Sequence, residues 1–248
     1  MYSKPLQMKQ IHIIFAVLLA LGFTNCHAQA SQPAQPEQPD PIKTFSILGD
    51  SYSTFEGYIP EGNACWYFTT PQGENDVISV DQTWWYQFAR DSSYELLLNE
   101  SYSGSTICNT GYDGADYSDT AFIKRMFNVT AGNPDLIVVF GGTNDSWANA
   151  PIGDLKFDDW TSSDMYSCLP ACCFMLDYLT ASAADSKIVF VINSELKDEI
   201  TTGIVQACEH YGVSSLLLSD VEKKWGHPSI KGMSRINEQL SAFVSTLE

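Results

Sequence analysis

The sequence predicts an α/β fold, a three-layer doubly wound sandwich around a five-stranded parallel sheet. Three observations predict it. Five short apolar runs, at residues 45–48, 96–98, 136–140, 188–192 and 213–218, are each bounded by turn formers or polar residues. Such near-continuous apolarity marks strands covered on both faces by helices. Segments of helical character separate the runs, so strand and helix alternate five times. The last segment has the clearest period: Ile230, Met233, Ile236, Leu240, Phe243, Val244 and Leu247 recur at steps of three and four, one face of a closing helix.

The first 30 residues read as an export signal rather than as part of the fold. Lys4 and Lys9 give a positive start, and residues 11–23 form an apolar stretch too short to span a bilayer comfortably. Two exits follow. Ala28-Gln29-Ala30 fits a small-residue cleavage site, and Cys26 offers a lipid anchor on the alternative route. On either route the mature protein lies outside the cytoplasm, in the periplasm, on the cell surface or secreted. Residues 31–42, SQPAQPEQPDPI, alternate proline with polar residues and read as an extended tether. The folded part begins at residue 43 and is long enough for one α/β domain with a large core.

Within that domain the first strand ends in Gly49-Asp50-Ser51. Residues 84–90 and 120–127 are predicted helical and precede the second and third strands. Residues 164–184 and 195–211 are predicted helices before the fourth and fifth. Right-handed crossovers then bring all five strand ends to one rim, where chemistry collects in open α/β sheets. Two connections are long. Residues 52–82 carry Tyr58 and Trp66, and residues 146–163 carry Trp147 and Trp160. Long loops at such a rim shape the substrate pocket, and their aromatics can stack on sugar rings. For any single ring, packing in a small satellite core is the competing use.

The formal charge is −17, and −19 once Lys4 and Lys9 leave with residues 1–30. Phosphate backbones need Lys and Arg, so nucleic acid and anionic membrane are poor partners. Beyond Cys26 six cysteines remain: Cys65, Cys108, Cys168, Cys172, Cys173 and Cys208. An exported chain can oxidise some of them, so core thiols and disulfides both stay open. No pair has Cys-x-x-Cys spacing, and only His210 and His227 lie past the signal, so zinc is a poor fit. No cofactor or metal is expected, and the sequence assigns no oligomeric state.

What stands at the rim carries the chemistry. Gly49-Asp50-Ser51 follows the first strand, Ser101-Tyr102-Ser103-Gly104 the second, and Gly142-Thr143-Asn144-Asp145 the third. Gly226-His227-Pro228 precedes the last helix. A serine, a glycine backbone, an asparagine amide and a histidine are the parts that acyl transfer needs. In these four blocks the chain resembles the SGNH hydrolases, the GDSL esterase and lipase superfamily, over almost all of residues 43–248. The resemblance implies a flavodoxin-like sheet and a serine ester hydrolase. Ser51 would be the nucleophile and His227 the general base. The N–H groups of Ser51 and Gly104 and the amide of Asn144 would form the oxyanion hole. Asp50 and Asp145 would brace loops.

One position departs from the pattern. The last block of the family is Asp-x-x-His, and here Lys224 stands where the aspartate belongs. Asp220 or Glu222 reaching the ring through an altered loop, or a backbone carbonyl in place of the acid, would each support the histidine. A weak or inactive enzyme is the third reading. His210, at a helix end on the opposite rim, reads as a surface cation near a helix C-terminus. The leading expectation is an exported esterase cleaving small acyl groups, acetyl above all, from a glycan or small-molecule ester. A lipase or thioesterase, and a glycan-binding protein with little turnover, are the alternatives.

Overall fold

The computed structural model describes residues 42–70 and 72–247. The expected signal over 1–30, Cys26 and nearly all of the 31–42 tether lie outside the described residues. Five parallel strands form the sheet: β1 Lys43–Gly49, β2 Tyr94–Ser101, β3 Leu136–Gly141, β4 Lys187–Ile192 and β5 Ser214–Leu217. Their order across the sheet is β2-β1-β3-β4-β5, with every neighbouring pair parallel. The chain moves outward from β1 in one direction and then in the other, so a crevice opens beyond β1 and β3.

The alternation along each strand divides the core into two layers. Leu48, Ile137, Val139, Ile188, Phe190 and Ile192 face α4 (Cys168–Ser182), α5 (Asp198–Tyr211) and the short α2 (Phe122–Arg125). Phe45, Ile47, Val138, Phe140, Val189 and Val191 face α1 (Trp84–Asp91) and α6 (Ile230–Ser245). Each such side chain contributes about 1.5–3 kcal/mol of burial. On α6 the period read from sequence becomes the buried face of Met233, Ile236, Leu240 and Val244. A five-residue turn of helix, α3 (Thr143–Trp147), opens directly after β3.

The structure differs from the sequence reading in three ways. Only β1, β3 and β4 are covered on both faces. The outer strands leave one side open, with Leu97 and Leu217 exposed, because an edge strand has cover on fewer sides. The predicted helix over 164–184 divides into a turn at Asp164–Tyr166 and α4, where Ser167 is extended. The segment before α6 holds an unforeseen antiparallel pair, β6 (Lys223–Lys224) and β7 (His227–Pro228). Among the described residues the six cysteines are free thiols, and the five buried ones serve the core rather than disulfides. No helix among the described residues is long and apolar enough to cross a membrane.

Candidate active site

Ser51 opens a one-turn 3-10 helix, Ser51–Ser53, at the carboxyl end of β1. Asp50 caps that turn, its side chain accepting from the Tyr52 N–H at 3.0 Å. Tyr52 then reaches to the far end of the chain. Its hydroxyl donates to the Gly226 carbonyl at 2.5 Å and accepts from the Asn193 amide at 3.2 Å. Tyr67 does the same from the next loop, donating to the Pro228 carbonyl at 2.9 Å. Two buried tyrosines thus clamp the β6–β7 hairpin onto the serine turn.

The clamp brings His227 Nε2 to 2.8 Å from Ser51 Oγ, across 176 residues of sequence. Both side chains are buried, Ser51 at 2% and His227 at 7% exposure. His227 Nδ1 lies 3.0 Å from the Trp225 carbonyl. A carbonyl can only accept, so Nδ1 carries the proton and Nε2 is left bare to accept from the serine hydroxyl. This is the tautomer a general base requires. Trp225 presents that carbonyl from the left-handed region, at φ 50°, a costly conformation for a residue with a side chain. Its indole is seated against Gly73, where an added Cβ would fall about 1.9 Å from the ring.

Among the described residues no carboxylate hydrogen-bonds the ring. Glu222 accepts from Ser229 Oγ at 2.8 Å and Lys231 Nζ at 3.4 Å, and these partners hold its pKa below the usual range. Asp220 is an exposed loop residue at φ 55°. The expectation that either acid reaches His227 is therefore corrected: the short β6–β7 turn brings a backbone carbonyl in first. Lys224 turns away and pairs with Asp76 at 2.8 Å, and Asp76 also accepts from the Ile230 N–H at 3.1 Å. Lys224 ties a loop to the start of α6. Burial, with Lys223 nearby, lowers the His227 pKa to about 4.

The residues expected to supply oxyanion donors follow β2 and β3. Gly104 adopts φ 84°, which a side chain would strain, although an added Cβ would find open space there. Asn144, in the first turn of α3, donates from Nδ2 to the Ser105 carbonyl at 2.9 Å. Its Oδ1 accepts from the Tyr112 hydroxyl at 2.8 Å. These two bonds fix which way the amide points and leave the second Nδ2 proton for a ligand. Asp145 is buried and accepts from the N–H groups of Ile107 (2.8 Å) and Cys108 (3.3 Å), tying α3 to the loop after β2. Burial raises its pKa, and raises that of Asp50 to about 7.

Arg125 went unread in the sequence. Its buried guanidinium bonds the carbonyls of Gly49 (3.1 Å), Glu100 and Thr120 (2.8 Å) and Ser105 Oγ (2.8 Å). It therefore joins the ends of β1 and β2 to the loop that carries Gly104.

The aromatic candidates divide. Trp66 stacks face to face on His227, centroids 3.7 Å apart and planes 10° apart. Trp147 meets the same ring edge-on at 5.7 Å, and its own ring is 39% exposed. Tyr58 packs against Phe55 and Trp85, and Trp160 against Phe174 with its N–H on the Lys156 carbonyl. Neither ring touches Ser51 or His227. For Trp160 the satellite-core use has won, because the apolar face of α4 lies beneath its loop. His210 stacks on Phe157 at the end of α5. Among the described residues no group of three His, Cys, Asp or Glu could hold a metal ion.

The sequence profile of the GDSL-like lipase/acylhydrolase family matches residues 43–244. The chain belongs to this family. It is accordingly an ester hydrolase of the SGNH superfamily. Two crystal structures of proteins classed as GDSL-like lipases are similar to it along almost their whole lengths. One, from Bacteroides ovatus, is 48% identical, with a TM-score of 0.81, over 83% of this chain and 99% of that one. The other, from Bacteroides uniformis, is 49% identical, with a TM-score of 0.80, over 84% and 97%. An acetyl xylan esterase from Butyrivibrio proteoclasticus shares the fold at 18% identity and a TM-score of 0.53, over 85% of this chain and 65% of that one. No curated protein matches the chain.

Proposed function

We propose that this GDSL family member is an exported serine esterase that removes small acyl groups, acetyl first among them, from carbohydrate. The observation that carries the reading is the buried 2.8 Å contact between Ser51 Oγ and the unprotonated Nε2 of His227. In the proposed cycle His227 takes the hydroxyl proton as Ser51 attacks the ester carbonyl. The tetrahedral oxyanion is held by the N–H groups of Ser51 and Gly104 and the free amide proton of Asn144. His227 then returns the proton to the leaving alcohol, and water releases the acyl group by the reverse sequence. The pair works as a dyad, with the Trp225 carbonyl setting the tautomer that an aspartate sets elsewhere.

Two features favour a short acyl group on a sugar. Ser51 is 2% exposed and its partner His227 is ringed by Trp66, Trp147 and Tyr52, a crowded setting that favours a small acyl group. Trp147, exposed at 39%, meets the histidine edge-on and offers a flat face to a ring-shaped alcohol. The signal-like first 30 residues support export to where such polymers are met. An ester series tests this directly. Hydrolysis of chromogenic esters should fall steeply from acetate to octanoate, and acetylated xylan should release acetate. A preference for octanoate with no release from xylan would move the protein to the lipase reading.

Two further expectations follow from the geometry. Asn144→Ala should lower kcat about 10²–10³-fold with little change in KM, since it removes an oxyanion donor. Steady-state kinetics on the acetate ester checks the split. The second concerns pH. Only neutral His227 can act as base, and its pKa is depressed, so activity should persist as pH falls through 6 and be lost on passing about 4. An acid limb of kcat/KM between pH 6 and 7 would contradict the burial argument.

A further inference from the structure

Among the described residues His227 has no carboxylate partner, yet the proposed reaction turns it into a buried imidazolium. Something must stabilise that charge. The Trp225 carbonyl supplies one dipole. Of the charged groups that act on the ring, Lys223 opposes protonation. What covers the imidazole is aromatic. Trp66 lies flat on one face at 3.7 Å, while Tyr52 (5.4 Å), Trp147 (5.7 Å) and Tyr67 (6.5 Å) stand at angles around it. The face of an indole carries negative potential and attracts a cation laid over it, more strongly once water is excluded.

Trp66 is also built into the nucleophile turn. Its backbone N–H donates to Thr54 Oγ1 at 3.0 Å, and that hydroxyl donates to the Ser51 carbonyl at 3.0 Å. The following residue, Tyr67, accepts from the Glu56 N–H at 3.0 Å and holds the Pro228 carbonyl. The strap that carries the indole is thus pinned to the serine on one side and to the histidine hairpin on the other. A ring placed only to fill space would need neither anchor.

We propose that Trp66 is a positioning residue that takes over part of the missing carboxylate's role, its indole face stabilising the imidazolium of His227 and holding that ring toward Ser51. The inference rests on the dyad reading above. The neutral ring gains little from the stack and the cation gains more, so the benefit falls where charge develops, on kcat rather than on KM.

The test keeps shape and changes only the face. Position 66 is filled, by site-specific incorporation, with phenylalanine and its mono-, di- and trifluoro forms, which are nearly isosteric and carry a progressively weaker negative face. Hydrolysis of the acetate ester and the His227 pKa, read by NMR, are measured for each, with melting curves to show that the fold is kept. Wild type should exceed the phenylalanine form. Along the series kcat should then fall about tenfold and the His227 pKa by about one unit, the same free energy seen twice. Trp66→Leu should lie at or below the trifluoro form in kcat. A flat series in both readouts would overturn the proposal and leave Trp66 as cover. Failure of the dyad reading shows separately, as hydrolysis that survives Ser51→Ala, and the NMR series decides the stack in either case.

Discussion

Ser51→Ala is expected to lower kcat/KM for a chromogenic acetate by about 10⁴-fold or more, with the fold and melting temperature unchanged. The magnitude follows from the part being removed. Without Oγ no acyl-enzyme forms, and His227 has no hydroxyl to activate at 2.8 Å. What remains is oxyanion stabilisation and binding, which in serine hydrolases leaves a residual of about 10³–10⁴ over water. His227→Ala should fall nearly as far, and the double variant hardly further, because the two groups act as one unit. Additive losses would show that the serine and the histidine work independently, against the geometry.

Arg125→Ala should destabilise the protein by about 3 kcal/mol or more, on the order of 10 °C in melting temperature for a domain of this size. Arg125 is 5% exposed. It donates to three backbone carbonyls and one hydroxyl, and of these the Gly49 carbonyl also accepts from the Tyr102 N–H at 3.1 Å. Removing the guanidinium takes a buried donor from the Glu100 and Thr120 carbonyls, weakens the hydrogen bonding of the Gly49 carbonyl, and opens a cavity against Phe122, over which it lies at 4.9 Å. Arg125→Lys keeps the charge but not the fork, so it should recover only part of the loss. The site should suffer as well, since the Gly49 carbonyl precedes the serine turn and Ser105 follows Gly104. Thermal denaturation and kinetics on the same samples check both effects. A melting temperature within about 2 °C of wild type would show that water replaces the arginine at no cost.

Much of this arrangement was legible in the sequence, and the reasons are physical. The apolar runs that became β1, β3 and β4 are buried on both faces, which removes the need for alternation and leaves a plain signal. A strand that ends in Gly-Asp-Ser, followed by Gly104, Asn144 and His227 in order, reads as a rim because parallel strands share one. What the sequence hid depends on contacts between distant residues. Trp225 at a positive φ follows no local rule for a bulky side chain, and Gly226 was the only hint of a turn there. The pairing of Lys224 with Asp76 spans 148 positions, so Lys224 looked like a broken motif when it was holding a loop. Arg125 sat in a short amphipathic stretch where an arginine reads as solvated. Trp66 was one aromatic among several in a long loop; nothing local sets it apart from Tyr58, which packs elsewhere. Charge and stacking partners across the fold decide such residues, and neither has a period.

The most direct test of the central claim, that Ser51 is activated by His227 without an acid behind it, is covalent labelling with a fluorophosphonate followed by peptide mass spectrometry. The account predicts a single adduct on Ser51, formed rapidly in wild type and in Asp220→Asn and Glu222→Gln, and slowed at least about 100-fold in His227→Ala. An adduct on another residue, labelling of Ser51 that is indifferent to His227, or labelling lost with either carboxylate would contradict it.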